Sequence, residues 1–214
     1  MEEYRKIPNI FKFDAKYKEI ISMNEPFESL KSLKWIGTEK VDGTNIRIHW
    51  DGHKVEIRGR TDSAKFQGNL YEYLESQFMT KEAEYIFEQM FEDKDVVLYG
   101  EGYGPKIQAG GGLYSDSPKF IMFDVDIGHY HLPRTDVANI AENMNIDIVP
   151  TVFYGTLDEA KQYVSEHQMS TINNAHEMEG LVLELPLDVF DKNGQRIKCK
   201  CKYRDMLKAG LAHE

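Results

Sequence analysis

A lysine beside an Asp-Gly turn is the first group in this sequence that could take part in chemistry. Lys40 stands in the stretch KVDGTN at 40–45, between a short apolar segment and a run rich in Ile, Val, Thr and Trp. A lysine amine attacks an electrophile only when it is neutral, so nearby cations or burial must lower its pKa. Taken alone, this lysine is better interpreted as an ordinary residue of a surface turn.

Further ionisable residues recur at the ends of predicted strands, and their order along the chain is more informative than any one of them. In chain order these residues are Lys40, Arg60, Glu101, Glu179, Lys198 and Lys200. The last two lysines alternate with cysteines along one strand, so both should point to the same face and supply cations to a nucleophilic lysine. The alternative is a solvated strand face, which more often has bulky apolar residues than cysteines between its lysines.

Hydrophobic periodicity predicts the elements that must position these residues. Residues 38–60 indicate a strand, a turn and a β-hairpin over 44–50 and 53–59, with Asp51-Gly52 as its tight turn. Residues 67–93 have apolar side chains at helical spacing and a partial cap signal at Thr80. The remaining predictions are strands at 95–101, 119–126, 148–154, 179–185 and 196–203, and helices at 134–144 and 157–168.

Two segments allow more specific expectations, and the N-terminal region allows fewer. Alternation along 119–126 assigns its residues to two faces: Ile121, Phe123 and Val125 on one, and Phe120, Met122 and Asp124 on the other. The glycine-rich loop at 102–112 has the wrong order of Gly and Lys for a Walker or a Rossmann phosphate loop. Residues 1–33 predict either a short helix or an extended arm, which would use Phe11, Phe13, Tyr17, Ile20 and Ile21.

The composition describes an ordinary soluble globular protein. The formal charge of -10 argues against a protein wrapped in nucleic acid, although a local basic cleft is compatible with it. Neither a membrane-length apolar run nor a signal peptide is present, and we expect no membrane association. Cys199 and Cys201 form neither a disulfide framework nor a zinc site, so a reducing, cytoplasmic compartment is expected.

Six segments, taken in order, resemble the motifs of the covalent nucleotidyltransferases, the superfamily of polynucleotide ligases and mRNA capping enzymes. The segments are EKVDGTNIRI, GRT at 59–61, LYGEGYGPKIQ, FIMFDV, EGLVLE and IKCKCKY. Any one of these short matches is weak, whereas six in order over residues 35–203 are strong. The resemblance is closest to the ATP-dependent RNA ligase domain of phage RNA ligase 2 type enzymes, because Asn45 and the closing IKCK pattern favour that branch.

The resemblance implies an α+β fold, the nucleotidyltransferase (adenylation) domain. In this fold two antiparallel sheets are flanked by helices, and the nucleotide lies in the cleft between them. Residues 1–214 are expected to form a single RNA ligase/adenylyltransferase domain. The chain stops about ten residues after the last motif, so we expect neither the C-terminal OB-fold nor the helical domain of larger ligases.

The resemblance also implies a role for each residue around the nucleotide. Lys40 would attack the α-phosphorus of ATP and hold AMP as a phosphoramidate, while Lys198 and Lys200 bear on the α-phosphate as charge develops. Glu101 would accept hydrogen bonds from the ribose hydroxyls, and Glu179 would orient a divalent metal ion.

The remaining roles concern the base and the phosphates. Phe123 would stack on adenine, with core packing as its alternative and Phe120 as the second candidate. Arg60 would position the nucleotide or a 5′-phosphate through its planar fork, and Asn45 would contact the ribose or that phosphate. Two neighbours of the nucleophile, Glu39 and Val41, would touch the base through backbone groups.

The implied function is an ATP-dependent RNA ligase that passes AMP to an RNA 5′-phosphate and joins that end to a 3′-hydroxyl. Mg²⁺ is the expected metal, with Mn²⁺ as a substitute. The expected partners are RNA ends and a subunit that supplies further RNA binding. The alternatives are a DNA ligase or capping guanylyltransferase core on the same scaffold, and a nucleotide-binding or RNA-end-binding protein that does not seal.

Overall fold

The computed structural model describes residues 3–14, 16, 19–187 and 189–213, so Tyr17 of the predicted N-terminal arm lies outside the described residues. The described elements are, in chain order, β1 (Phe11–Phe13), β2 (Ile20–Met23), α1 (Phe27–Leu30), β3 (Trp35–Glu39), β4 (Thr44–Trp50), β5 (Val55–Gly59), α2 (Gly68–Phe78), α3 (Lys81–Phe91), β6 (Val96–Tyr103), α4 (Gly111–Tyr114), β7 (Lys119–Ile127), β8 (Tyr130–His131), α5 (Arg134–Met144), β9 (Asp147–Ile148), β10 (Thr151–Gly155), α6 (Leu157–Ser165), β11 (Gly180–Glu184), β12 (Lys198–Lys202) and α7 (Tyr203–Lys208). None of these helices is both long enough and apolar enough to cross a membrane.

The chain divides into two compact units. Unit one contains Val41–Val149 together with residues 3–5, and unit two contains Lys6–Lys40 and Pro150–Glu214. The polypeptide therefore passes from unit two into unit one directly after Lys40, and it returns directly after Val149.

Unit one is built on a sheet with strand order β5-β4-β6-β7-β8, to which β9 adds a short parallel pairing with β7. Alternation along β4 turns Ile46 and Ile48 to one face, where they join a core that includes Phe87 of α3 and Val137 of α5. The opposite face carries polar side chains from the same strands, among them the buried Arg47.

Unit two is built on an antiparallel sheet with strand order β10-β3-β11-β12. Its core includes Trp35 of β3, Leu181 of β11, Leu157 of α6 and both cysteines of β12. The strands β1 and β2 pair with each other, which favours the extended form of the N-terminal arm over the helix. Both units combine antiparallel strands with helices, which confirms the predicted α+β class.

Several local predictions are confirmed, with differences at the ends of elements. The hairpin of β4 and β5 forms, but its turn spans 51–54, because the Asp51 carboxylate accepts the backbone N–H groups of His53 and Lys54 at 2.9 Å each. Thr80 caps α3 by accepting the N–H of Ala83 at 3.1 Å. The sequence analysis did not predict α7.

A bulge in β7 changes the predicted faces of that strand. Tyr99 of β6 pairs with Asp124, whereas the next residue, Gly100, pairs with Met122, so Phe123 is an extra residue on β7. After this residue the alternation reverses, and Val125 joins the core together with Met122. The predicted grouping of Val125 with Phe123 is therefore wrong, because strict alternation does not hold across a bulge.

Gly100 permits this arrangement, and its replacement should be costly. A Cβ atom added at Gly100 would lie 2.3 Å from Phe120 Cζ and 2.5 Å from the backbone oxygen of Ile121. We expect Gly100→Ala to lower the free energy of unfolding by about 1–3 kcal/mol, as overpacking does elsewhere, measured by urea unfolding. The control is Gly68→Ala at the start of α2, where the added Cβ meets no atom within 4 Å outside its chain neighbours and its own helix backbone, and this variant should be at least as stable as the wild type. Equal stability of the two variants would contradict the prediction.

Candidate active site

The predicted nucleophile lies where β3 ends beside the beginning of β11. These two strands are antiparallel neighbours with Glu39 opposite Leu181, so Lys40 lies opposite Gly180, the first residue of β11, and close to Glu179. The Lys40 backbone N–H donates to the Gly180 carbonyl at 2.9 Å, and Lys40 Nζ lies 2.5 Å from Glu179 Oε2. The structure therefore brings together two of the predicted site residues, Lys40 and Glu179.

Lys202 also lies beside Glu179, although the sequence analysis did not select this lysine as a site residue. Lys202 lies opposite Gly180 on β12, and its Nζ atom is 2.6 Å from Glu179 Oε1. The predicted Lys200 lies opposite Val182 and points to the same face of the sheet as Lys202. We call Lys40, Glu179, Lys200 and Lys202 the lysine cluster.

Charge and burial act together on the lysine cluster. Burial of Glu179 disfavours its charged form, but the nearby charges of Lys40 and Lys202 and their hydrogen bonds outweigh burial and lower its pKa. Burial, followed by the positive charges of Lys202, Lys40 and Lys6, lowers the pKa of Lys200. The lysines outnumber the carboxylate among the residues of this cluster, which gives it the positive excess that suits a polyphosphate.

The structure does not bring the predicted Lys198 to the lysine cluster. Its Nζ lies 3.1 Å from Glu184 Oε2 at the other end of β11, where Arg196 also approaches the same carboxylate at 3.6 Å. Lys198 and Lys202 are four positions apart along the strand, which corresponds to about 13 Å at the usual rise of a β-strand. Lys198 thus pairs with a different carboxylate from that of the lysine cluster.

Asn45 and Glu101 lie on the polar face of unit one. They are directly opposite each other on β4 and β6, so their side chains emerge side by side. The Asn45 side-chain oxygen is buried and has no hydrogen-bond partner among the described residues. A buried acceptor without a donor costs free energy, which is the kind of group that a bound ligand satisfies.

The structure distinguishes the two phenylalanines proposed to stack on the base. Phe120 packs in the core of unit one, with its ring 5.4 Å from that of Phe78. The half-buried Phe123 lies on the polar face instead, where its ring is 5.1 Å from that of Tyr4. Phe123 therefore lies on the face that carries Asn45 and Glu101, opposite to the core face of its neighbour Met122.

Arg60 is exposed just beyond the end of β5, and a different arginine holds this segment. Arg47 is 0% exposed, and it donates from Nε to the Gly59 carbonyl at 2.7 Å and from its terminal nitrogen to Asp62 at 2.8 Å. Arg47 therefore fixes the residues on both sides of Arg60. Its place on β4 between two other polar residues of the same face was the available sequence signal.

The residues around the nucleophile are held tightly within their own units. Val41 is buried, and the Asp42 carboxylate accepts the Gly110 backbone N–H at 2.8 Å, which ties the turn to the glycine-rich loop. A Cβ at Gly43 would lie 2.4 Å from the Gly102 oxygen, so only glycine fits there. The Glu39 backbone N–H, predicted to be near the base, already donates to the Pro150 carbonyl at 3.0 Å.

Comparisons with known proteins agree with this architecture. Solved structures of a Naegleria gruberi RNA ligase are similar to this chain: a mutant with ATP and Mn (16% identity, TM-score 0.63, covering 86% of this chain and 54% of that chain), a mutant with AMP and Mn (15%, 0.63, 85% and 53%), and the ligase with PPi (17%, 0.62, 95% and 60%). The chain thus spans little more than half the length of these structures. A search of curated protein sequences found no match.

A family model gives the more direct assignment. The model described as RNA ligase matches residues 33–200, which is most of the chain. The matched region includes the predicted nucleophile Lys40, the strand β3 that precedes it and the neighbouring strand β11. This chain belongs to the RNA ligase family.

Proposed function

We propose that this chain is an ATP-dependent RNA ligase that forms a covalent lysyl-AMP on Lys40, transfers AMP to an RNA 5′-phosphate and joins that end to a 3′-hydroxyl. The observation that carries the proposal is the lysine cluster, in which Lys40 lies beside Glu179, Lys200 and Lys202. Membership of the RNA ligase family and the similarity to structures with ATP, AMP and PPi support it.

The first step follows from the chemistry of the lysine cluster. Lys40 Nζ forms a bond to the α-phosphorus, the bond from that phosphorus to the bridging oxygen breaks, pyrophosphate leaves, and the amine proton passes to solvent. Glu179 holds the Lys40 amine in an ion pair, so this pair must open before the amine can reach the phosphorus. Lys200 and Lys202 lie on the neighbouring part of the cluster, and their compact charges stabilise the phosphate as negative charge develops.

The polar face of unit one is proposed to bind the nucleoside. The unpartnered oxygen of Asn45 would accept a hydrogen bond from a ribose hydroxyl, and Glu101 would accept one beside it. Phe123 offers an aromatic ring outside the core for adenine. The exposed guanidinium of Arg60 would bind a phosphate in a bidentate manner.

A divalent ion fits this donor set only in part. Among the described residues no group of three or more His, Cys, Asp or Glu side chains lies close enough to hold a metal ion. Glu179 offers one hard carboxylate, and Mg²⁺ is commonly bound by one or two carboxylates together with substrate phosphates and water. Mg²⁺ or Mn²⁺ held by Glu179 would neutralise phosphate charge when bound.

A pulse-chase experiment tests the proposal. The protein is incubated with α-labelled ATP or, separately, GTP and divalent metal, and covalent label is detected after denaturing electrophoresis. Excess nucleotide is then removed, and a splinted RNA nick or its DNA counterpart is added. We expect ATP to label the protein, and we expect RNA with a 5′-phosphate and a 3′-hydroxyl to remove the label and become joined.

Each alternative function predicts a different result. Labelling by GTP alone would indicate a guanylyltransferase, and joining of DNA alone would indicate a DNA ligase. Absence of label from the protein would contradict the proposal and favour a binding protein that does not seal. Transfer of AMP to RNA without joining would indicate that further protein, such as a partner subunit, is needed.

A further inference from the structure

The residue before the nucleophile has a buried carboxylate that no predicted role explains. Glu39 is 1% exposed, and its carboxylate accepts three hydrogen bonds: from Ser170 Oγ at 2.5 Å, from the Thr171 backbone N–H at 2.8 Å and from Thr171 Oγ1 at 2.7 Å. Burial of a carboxylate is costly unless donors of this kind compensate for the lost water. The surroundings of Glu39 therefore match its carboxylate with three donors.

The donors belong to the loop that leads into Glu179. Ser170 Oγ also accepts the backbone N–H groups of Ile172 and Asn173 at 3.2 Å each, so the loop folds around this hydroxyl. The Met178 N–H donates to the Gln168 carbonyl at 2.9 Å and closes the loop one residue before Glu179. The path of the loop is thus fixed at Ser170 and again immediately before Glu179.

Glu39 and its donors connect the two chain segments that carry the reacting pair. Glu39 precedes Lys40 at the end of β3, and the loop containing Ser170 and Thr171 precedes Glu179 at the start of β11. We propose that Glu39, Ser170 and Thr171 are positioning residues that hold Lys40 and Glu179 at their observed spacing. Glu39 adjoins Lys40 in the chain, and the loop that holds Ser170 and Thr171 leads into Glu179, so these residues act through the backbone. This inference rests on the proposed function.

Thr171 is the most informative position for a substitution, because its side chain is exposed and can be replaced without leaving a cavity. Thr171→Val keeps the shape and the backbone N–H but removes the hydroxyl donor to Glu39. We expect the single-turnover rate of adenylation at saturating ATP to fall about tenfold, since small displacements of a reacting group cost rates of this order. The KM for ATP should stay near the wild-type value, and Thr171→Ser, which keeps the hydroxyl, should restore the rate.

A matched control separates positioning from stability. Thr156 caps α6 in the same unit, where its hydroxyl accepts the Glu159 N–H at 3.2 Å. Thr156→Ala should lower the urea midpoint by an amount comparable to a lost cap and leave the adenylation rate unchanged. A Thr171→Val rate equal to wild type, or equal to that of Thr156→Ala, would overturn the inference, as would a change confined to KM.

A second readout does not depend on ATP. An amine-reactive reagent followed by peptide mass spectrometry gives the modification rate of Lys40 relative to the exposed Lys81 at the start of α3 in unit one. If Thr171 holds the Lys40–Glu179 pair, Thr171→Val should free the amine and raise this ratio, whereas Thr156→Ala should not. An unchanged ratio would overturn the inference whether or not the wild-type protein acquires AMP. Failure of the wild-type protein to acquire AMP would instead count against the proposed function.

Discussion

Alanine in place of Lys40 is expected to abolish the transfer of labelled AMP to the protein. The other two amines of the lysine cluster should not replace Lys40 as the nucleophile, because Lys200 and Lys202 lie on β12 whereas Lys40 lies on the turn after β3. Loss of the nucleophile removes the bond-forming atom, so the covalent label should fall to background. The measurement is retention of label from α-labelled ATP after denaturing electrophoresis.

The fold should survive this substitution, and a second lysine variant provides the control. Glu179, which pairs with Lys40, stays compensated in the variant because it keeps its ion pair with Lys202. Lys34 is in the same unit and forms an exposed ion pair with Glu159 at 3.0 Å, with side chains 51% and 56% exposed. Lys34→Ala should label fully, since exposed pairs contribute little. Full labelling of a folded Lys40→Ala protein would refute the assignment of the nucleophile.

The second large effect concerns which lysines of β12 act on the phosphate. Alanine at Lys200 or at Lys202 should slow adenylation by roughly 10²–10³-fold, the usual loss when one stabilising donor of a transition state is removed. Lys198→Ala should cost much less, because its ammonium is paired with Glu184 away from the lysine cluster. Arginine should restore activity poorly at either active position, because its planar fork differs from a compact ammonium.

These variants are compared by single-turnover labelling across a series of ATP concentrations. The three substitutions remove the same group from alternate positions of one strand, so Lys198→Ala is the natural control for the other two. If Lys198→Ala were as slow as Lys200→Ala while Lys202→Ala were unaffected, the sequence-based pair would be right and the geometric assignment would be wrong. Equal, small effects at all positions would make the lysines ordinary surface residues.

The sequence predicted most elements of this fold because their signals are local. The hairpin with its turn beginning at Asp51, the cap at Thr80 and the helical spacing of residues 67–93 depend on neighbours a few positions apart, and each is found, although the turn is two residues longer than predicted. Motif order also selected both Lys40 and Glu179 as site residues, and the structure places them side by side. Their proximity requires only that the end of β3 meets the start of β11, and the two strands are antiparallel neighbours.

The features that sequence reasoning missed depend on pairings between distant residues. Alternation makes Lys198, Lys200 and Lys202 equivalent, and only the pairing of β12 with β11 shows which ones reach Glu179. The extra residue Phe123 is visible only against the partner strand β6. The donors to Glu39 come from a loop more than a hundred residues away, and the loop sequence carries no sign of this contact.

The alternation of β12 also protects the chain from mispairing during folding. Cys199 and Cys201 face the core, where burial raises the pKa of both thiols, that of Cys201 to about 12. A slip of β12 by one residue would expose these thiols and force three ammonium groups into the apolar interior, at a cost of several kcal/mol for each charge. The lysines that we assign to chemistry therefore also exclude the wrong strand alignment, so a substitution that spares catalysis can still weaken the discrimination between correct and slipped pairings.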